Sequence, residues 1–191
     1  MARSLSPAPL VSLARAVAIV VAVVCAPGCA QDPAASGPAV KFDPCTPVTL
    51  VPDATATAAQ LQGVAAGAAL WNASAASDLL SGNASDGGGD PTLPTLPTLP
   101  IHFQVAGAPF NGLYDAPSGQ IYINDDLMGE ELAITIAHEI GHSFGLVHIP
   151  TSVRPSLMNP ANLTVLPTAA DVATLAGVWG RCGSLDAAGT E

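Results

Sequence analysis

Basic residues are scarce in this chain. Five Lys and Arg stand against fifteen Asp and Glu, a formal net charge of −10 over 191 residues, and only 10% of residues carry charge of either sign. If residues 1–28 are removed on export, Lys41, Arg154 and Arg181 alone face the fifteen acids, for a charge of −12. That balance excludes a nucleic-acid binder and electrostatic attachment to anionic lipid, both of which need clustered cations. A membrane-spanning run is missing too: the apolar stretch at 16–26 falls well short of the roughly 20 residues a spanning helix needs. Cysteine and histidine number four each, and the placement of both is informative.

Arg3 and Arg15 precede the apolar run, which fits an export signal. Two cleavage points stand open. Gly28-Cys29 offers a lipoprotein-type cut that leaves Cys29 as a lipidated first residue, although Ala26 and Pro27 depart from the usual pattern. The competing cut follows Ala30, where Gly28-Cys29-Ala30 makes a small-x-small site and would release a soluble protein. The lipoprotein reading is favoured, and either one exports the chain to the periplasm or cell surface. The expected organisation is a signal at 1–28, a lipidated Cys29 and tether over 29–44, one single-core domain at 45–183 with a low-complexity insertion at 81–100, and a tail at 184–191. A monomer is expected, with contact to a membrane only through the lipid. With Cys25 in the signal and Cys29 in the anchor, Cys45 and Cys182 remain, and in an exported protein they most simply pair. Such a bridge closes nearly the whole domain and is worth ~4 kcal/mol in the chain-entropy model.

Three of the four histidines fall within eleven residues, His138-Glu139-Ile140-Gly141-His142-Ser143-Phe144-Gly145-Leu146-Val147-His148. His138 and His142 are four apart and share one helix face, where both can bind one ion. Glu139 lies beside them, placed to act as general base toward an activated water. Gly145 can take the left-handed conformation that ends a helix, and the turn would return His148 as a third nitrogen ligand. Three imidazoles with one open position describe a catalytic zinc, since structural sites usually close with four protein ligands. His102, the fourth histidine, sits in an apolar run and reads as structural.

Ser156-Leu157-Met158-Asn159-Pro160, a short way beyond His148, resembles the Met-turn of the metzincin metallopeptidases, and Ser118-Gly119-Gln120-Ile121-Tyr122-Ile123-Asn124-Asp125-Asp126 resembles the strand and acidic turn ahead of the active-site helix in the matrix-metalloproteinase branch. With the zinc motif, these place the resemblance over roughly 48–180. His148 is followed by Ile149-Pro150, not by the Ser, Glu or Asp that mark the well-known subfamilies. The resemblance implies that Met158 forms an apolar floor under the zinc without ligating it. It also implies a calcium site at Asp125, Asp126, Glu130 and Glu131, whose hard oxygens suit that ion, although a solvated helix start reads equally well. A latency role for Cys45 as a zinc-binding thiol is disfavoured, because Asp43-Pro44-Cys45-Thr46-Pro47 does not resemble the matrix-metalloproteinase cysteine switch and leaves no room for a propeptide domain.

Along the chain the patterns predict a strand at 48–51 and a long helix at 54–80 packed on a sheet, with Leu61, Val64, Ala68 and Trp71 at helical spacing. A Gly/Ser/Asp loop at 81–90 leads into a Thr-Leu-Pro repeat at 91–100 that reads as a polyproline-type surface insertion. A strand at 101–106, a hairpin of 112–115 with 120–124, a helix from Glu130 through the zinc ligands, and a helix from Asp171 to Gly180 complete an α+β, metzincin-like order.

The expected function is a zinc-dependent endopeptidase acting on peptide or protein substrates. The alternatives are a catalytically inactive zinc- or partner-binding surface lipoprotein and a narrow-specificity processing peptidase. By the resemblance, substrate would pair with the strand at 112–115, and 161–167 would wall the pocket for the residue after the cut. Leu163, Val165 and Leu166 in that segment predict an apolar preference there.

Overall fold

A computed structural model describes residues 39–75, 80–81, 96–107, 109–180 and 182. The expected export signal, Cys29, most of the tether, the loop and repeat over 82–95 and the tail lie outside the described residues. The elements run β1 (Val48–Pro52), α1 (Ala58–Ala75), β2 (Leu80–Ser81), β3 (Thr98–Gln104), β4 (Gly112–Asp115), β5 (Gln120–Asn124), α2 (Gly129–Ser143) and α3 (Ala169–Trp179). The strands form one mixed sheet in the order β2-β1-β3-β5-β4. β2, β1, β3 and β5 are parallel, and the edge strand β4 runs antiparallel to β5 with Leu113 opposite Tyr122.

Period-two alternation decides which face is covered. Val48, Leu50, Leu99, Ile101, Tyr114, Ile121 and Ile123 are buried on one side, while His102, Gln104, Gln120 and Tyr122 occupy the other and are at least partly exposed. Helices therefore cover one face of the sheet, the α+β arrangement expected. No helix among the described residues is long and apolar enough to cross a membrane.

α1 departs from its expected form in three ways. It begins at Ala58 rather than Ala54, because Thr57 caps it: the Gln60 amide donates to Thr57 Oγ1 (3.2 Å) and the Thr57 amide to Gln60 Oε1 (2.7 Å). Leu80, assigned to this helix from sequence, is instead in β2. α1 also packs chiefly on α2 rather than on the sheet. Val64, Ala68 and Trp71 are buried as expected but Leu61 is 46% exposed, since the close contact runs through glycines. A Cβ on Gly67 would lie 2.9 Å from the Ala133 carbonyl, so glycine lets the two helix backbones approach. Trp71 Nε1 donates across that interface to the Ala137 carbonyl (2.7 Å).

The Thr-Leu-Pro repeat is not a surface insertion throughout. Its last unit, Thr98-Leu99-Pro100, opens β3, and Leu99 is fully buried. Pro100 is tolerated inside the sheet because β5 begins pairing with β3 only at Ile101, so the missing N–H falls where β3 has a neighbour on one side alone. Cys45 and Cys182 are joined by a disulfide spanning 137 residues, as expected.

Candidate metal centre

α2 carries the first two histidines and then stops. Gly145 has φ 89°, and the Gly145 amide donates to the His142 carbonyl (2.8 Å) while the Leu146 amide donates to that of Gly141 (3.0 Å). This pair of bonds is the Schellman ending that glycine permits. The chain then doubles back, and the Ile149 amide donates to the Met158 carbonyl (2.8 Å), which fixes His148 against the helix it has just left.

The three imidazoles converge. His138 Nε2 lies 3.1 Å from His142 Nε2 and 3.2 Å from His148 Nε2, and the latter two are 3.1 Å apart. His138 Nδ1 pairs with the Leu157 carbonyl (2.7 Å) and His142 Nδ1 with the Leu146 carbonyl (2.8 Å). A carbonyl can only accept, so both Nδ1 atoms carry the proton and both Nε2 atoms present lone pairs to the common centre. Burial, reinforced by His142, drives the His138 imidazole down to about 3, and burial drives that of His142 to about 4. Both are therefore neutral at neutral pH, the form that ligates. Facing lone pairs cannot satisfy one another, whereas a cation satisfies them together. A tetrahedral ion with nitrogen bonds of about 2.0–2.1 Å would set its ligands about 3.3–3.4 Å apart, close to the spacing found. The donor set fits a metal ion.

No protein-family model matches this chain, and no curated protein matches it.

Among the described residues, these histidines are the one cluster of His, Cys, Asp or Glu close enough to share an ion. The calcium quartet is not gathered in that way: Asp126, Glu130 and Glu131 are exposed on a turn and the start of α2, and the Asp126 amide donates to Asn124 Oδ1 (3.3 Å). His102 stands apart as expected, on the other sheet face, with Nδ1 2.8 Å from Asp53 Oδ1 and its ring 5.2 Å from that of Tyr122. Met158 is buried against the helix carrying the ligands, and a Cβ on Gly141 would lie 2.6 Å from its Sδ. Glu139 is 2% exposed, and β4 crosses it at Gly112, where a Cβ would come within 2.9 Å of Glu139 Oε1.

A carboxylate that sequence reasoning took only for a helix start organises the Met158 loop. Asp171 accepts from Ser156 Oγ (2.5 Å), the Leu157 amide (3.0 Å), Arg154 Nη1 (2.8 Å), the Thr168 amide (3.0 Å) and Thr168 Oγ1 (2.9 Å). Burial alone would raise its pKa, but the bonds from Ser156, Thr168, Arg154 and Leu157 hold it at about 2. The available signal was the spacing Thr168-x-x-Asp171, a capping box that makes Asp171 the third residue of α3. Nothing local in sequence shows that the same carboxylate reaches back fifteen residues to Ser156.

Beside Glu139 lies a small cavity lined by Asn111, Thr135, His138, Ala161 and Asn162, with room for about one water molecule, about 10 Å³. Of the segment 161–167, Ala161 and Asn162 reach this wall. Leu163 and Val165 do not, and Leu166 lines a separate cavity of about 380 Å³ between α1 and the start of α2. Asn162 is held by four bonds: Nδ2 to the Leu157 and Val165 carbonyls, and Oδ1 from the Thr164 and Val165 amides. Ala161 has φ 55°, a left-handed conformation that strains any residue with a Cβ.

Proposed function

We propose that this protein is a zinc-dependent endopeptidase of metzincin type, related most to the matrix-metalloproteinase branch. The observation that carries the reading is the convergence of three imidazoles, two of them held neutral by burial, with Glu139 buried one residue from the first of them. His138, His142 and His148 would hold the ion, which when bound supplies Lewis acidity and lowers the pKa of water. Glu139 would take the proton of the attacking water on a carboxylate oxygen and release it to the departing amine nitrogen. Gly112 keeps β4 close over Glu139, and β4 is the sheet edge, so an extended peptide can pair along it while crossing the base. The buried site limits water around the base, and the bonds to the Leu157 and Leu146 carbonyls keep two rings aimed. Export, with lipidation at Cys29, belongs to the same proposal and rests on the leader composition.

The test is the Glu139→Ala protein, measured for metal content and for cleavage of casein and a peptide library. Full metal with cleavage lost supports the mechanism, and cleavage at the wild-type rate refutes it. Stoichiometric metal in a wild-type protein that cleaves nothing would favour the competing reading of a binding module, for which the smallness of the cavity beside Glu139 speaks.

A further inference from the structure

Thr135 sits one helical turn before Glu139, and its hydroxyl has no hydrogen-bond partner although the atom is buried. That is unusual for a helical hydroxyl, which ordinarily donates to a carbonyl three or four residues back. Ser74 donates to the Leu70 carbonyl (2.7 Å), Ser143 to that of Ile140 (2.7 Å) and Thr174 to that of Ala170 (2.8 Å). Thr135 does not. A buried hydroxyl left unpaired opposes folding, so a valine of the same shape would be the more stable choice here. Thr135 also walls the cavity beside Glu139, as does the half-buried Asn111, which adds a side-chain amide to the lining. The far wall is fixed: Asn162 is saturated by its four bonds, and Ala161 is held in a strained conformation. Rigid walls, space for one water, one buried hydroxyl without a partner and one half-buried amide describe a pocket that awaits a small polar occupant.

We infer that this cavity receives the side chain of the residue following the scissile bond and selects a short polar one, serine above all, with Thr135 and Asn111 as the specificity-determining residues. The inference rests on the peptidase reading. It follows from the part Glu139 plays there: the base returns its proton to the nitrogen of the residue after the cut, so a cavity walled by Glu139 adjoins the residue that bears that nitrogen. A leucine or phenylalanine side chain exceeds the space. An alanine would leave the buried Thr135 hydroxyl unpaired, the condition under which polar sites discriminate most strongly.

The experiment uses purified zinc-loaded protein and peptides that differ only at that position, carrying Ser, Ala, Leu or Phe. Ser should be cleaved at least about tenfold faster than Leu or Phe and several-fold faster than Ala. Thr135→Val should erase the preference for Ser over Ala and raise the melting temperature, because it removes an unpaired group without changing volume. The same ranking should appear in calorimetric binding to the Glu139→Gln protein, a readout free of turnover. Cleavage that requires Glu139 yet runs fastest on Leu or Phe would overturn the pocket assignment while leaving the peptidase reading intact. An unchanged Ser-to-Ala ratio in Thr135→Val would also overturn it. If no peptide is cleaved in a Glu139-dependent way, both readings fall together.

Discussion

His138 and Asp171 grip the same residue from opposite sides: the Leu157 carbonyl accepts from His138 Nδ1, and the Leu157 amide donates to Asp171 Oδ2. A carboxylate at the start of α3 thereby orients a ring in the middle of α2. In Asp171→Asn, the amide nitrogen would point its hydrogens at groups that are themselves donors, whichever way the side chain is turned. The substitution should destabilise the protein by about 2–4 kcal/mol and weaken metal binding, because buried charge-assisted bonds are lost. Denaturant unfolding and a competitive metal titration measure the two effects. Lower stability with unchanged metal affinity would show that the link through Leu157 does not reach the ligand.

Acid should unfold the metal-free protein in a defined window. His138 and His142 titrate at about 3 and about 4 when folded, against an ordinary 6.5. Between those limits the unfolded chain binds more protons, so stability is fully present above about pH 6.5 and falls as pH drops toward the folded values, by on the order of a few kcal/mol. The Asp171 contribution has the same sign but lies lower, lost between 3.8 and about 2. Unfolding free energies of chelator-treated protein from pH 4 to 8 test this, and a flat profile would contradict it.

Gly145→Ala should cost about 1–2 kcal/mol, the penalty for a side chain in the left-handed region. At φ 89° the new Cβ would also lie 3.2 Å from Lys41 Cδ, a flexible neighbour that can yield. Because the same turn delivers His148, metal affinity should fall along with stability. A variant as stable as wild type would mean that the turn relaxes without strain.

Gly112→Ala should slow peptide hydrolysis at least about tenfold while retaining metal, since a Cβ there meets both Glu139 Oε1 and Thr135 Cγ2 at 2.9 Å. If displacement of the base is the cause, kcat should fall with little change in KM, and shortening the neighbour in a Gly112→Ala, Thr135→Ser double variant should recover part of the rate. No recovery would locate the damage in β4 instead.

Much of this architecture was written locally. The spacing of His138, His142 and His148, the hairpin around Ser118-Gly119 and the apolar runs of α2 and α3 depend on neighbours in sequence, and the structure places them accordingly. The misreadings share a different origin. Leu99 lies in a repeat whose composition suggests an extended surface segment, and only pairing with β1, opposite Leu50, makes it core. Leu61 sits at the right helical spacing, yet α1 turns Gly63 and Gly67 to α2 because close helix contact there needs small residues. Of the segment read by resemblance as a pocket wall, Ala161 and Asn162 line the cavity beside Glu139 because Asn162 ties the loop to Leu157 and Val165, and Leu166 lines a separate cavity. The bonds from Asp171 to Ser156 and Leu157 are likewise tertiary, and no periodicity announces them.

The disulfide has a practical consequence for anyone handling the protein. Cys45 and Cys182 enclose the three-histidine cluster and, among the described residues, every strand and helix. A single backbone break anywhere between them leaves the two fragments covalently joined and migrating together. Such a nick would pass unseen on a non-reducing gel and emerge as two bands only once thiol is added, so reduced and unreduced samples run side by side become a direct record of where the domain has been cut.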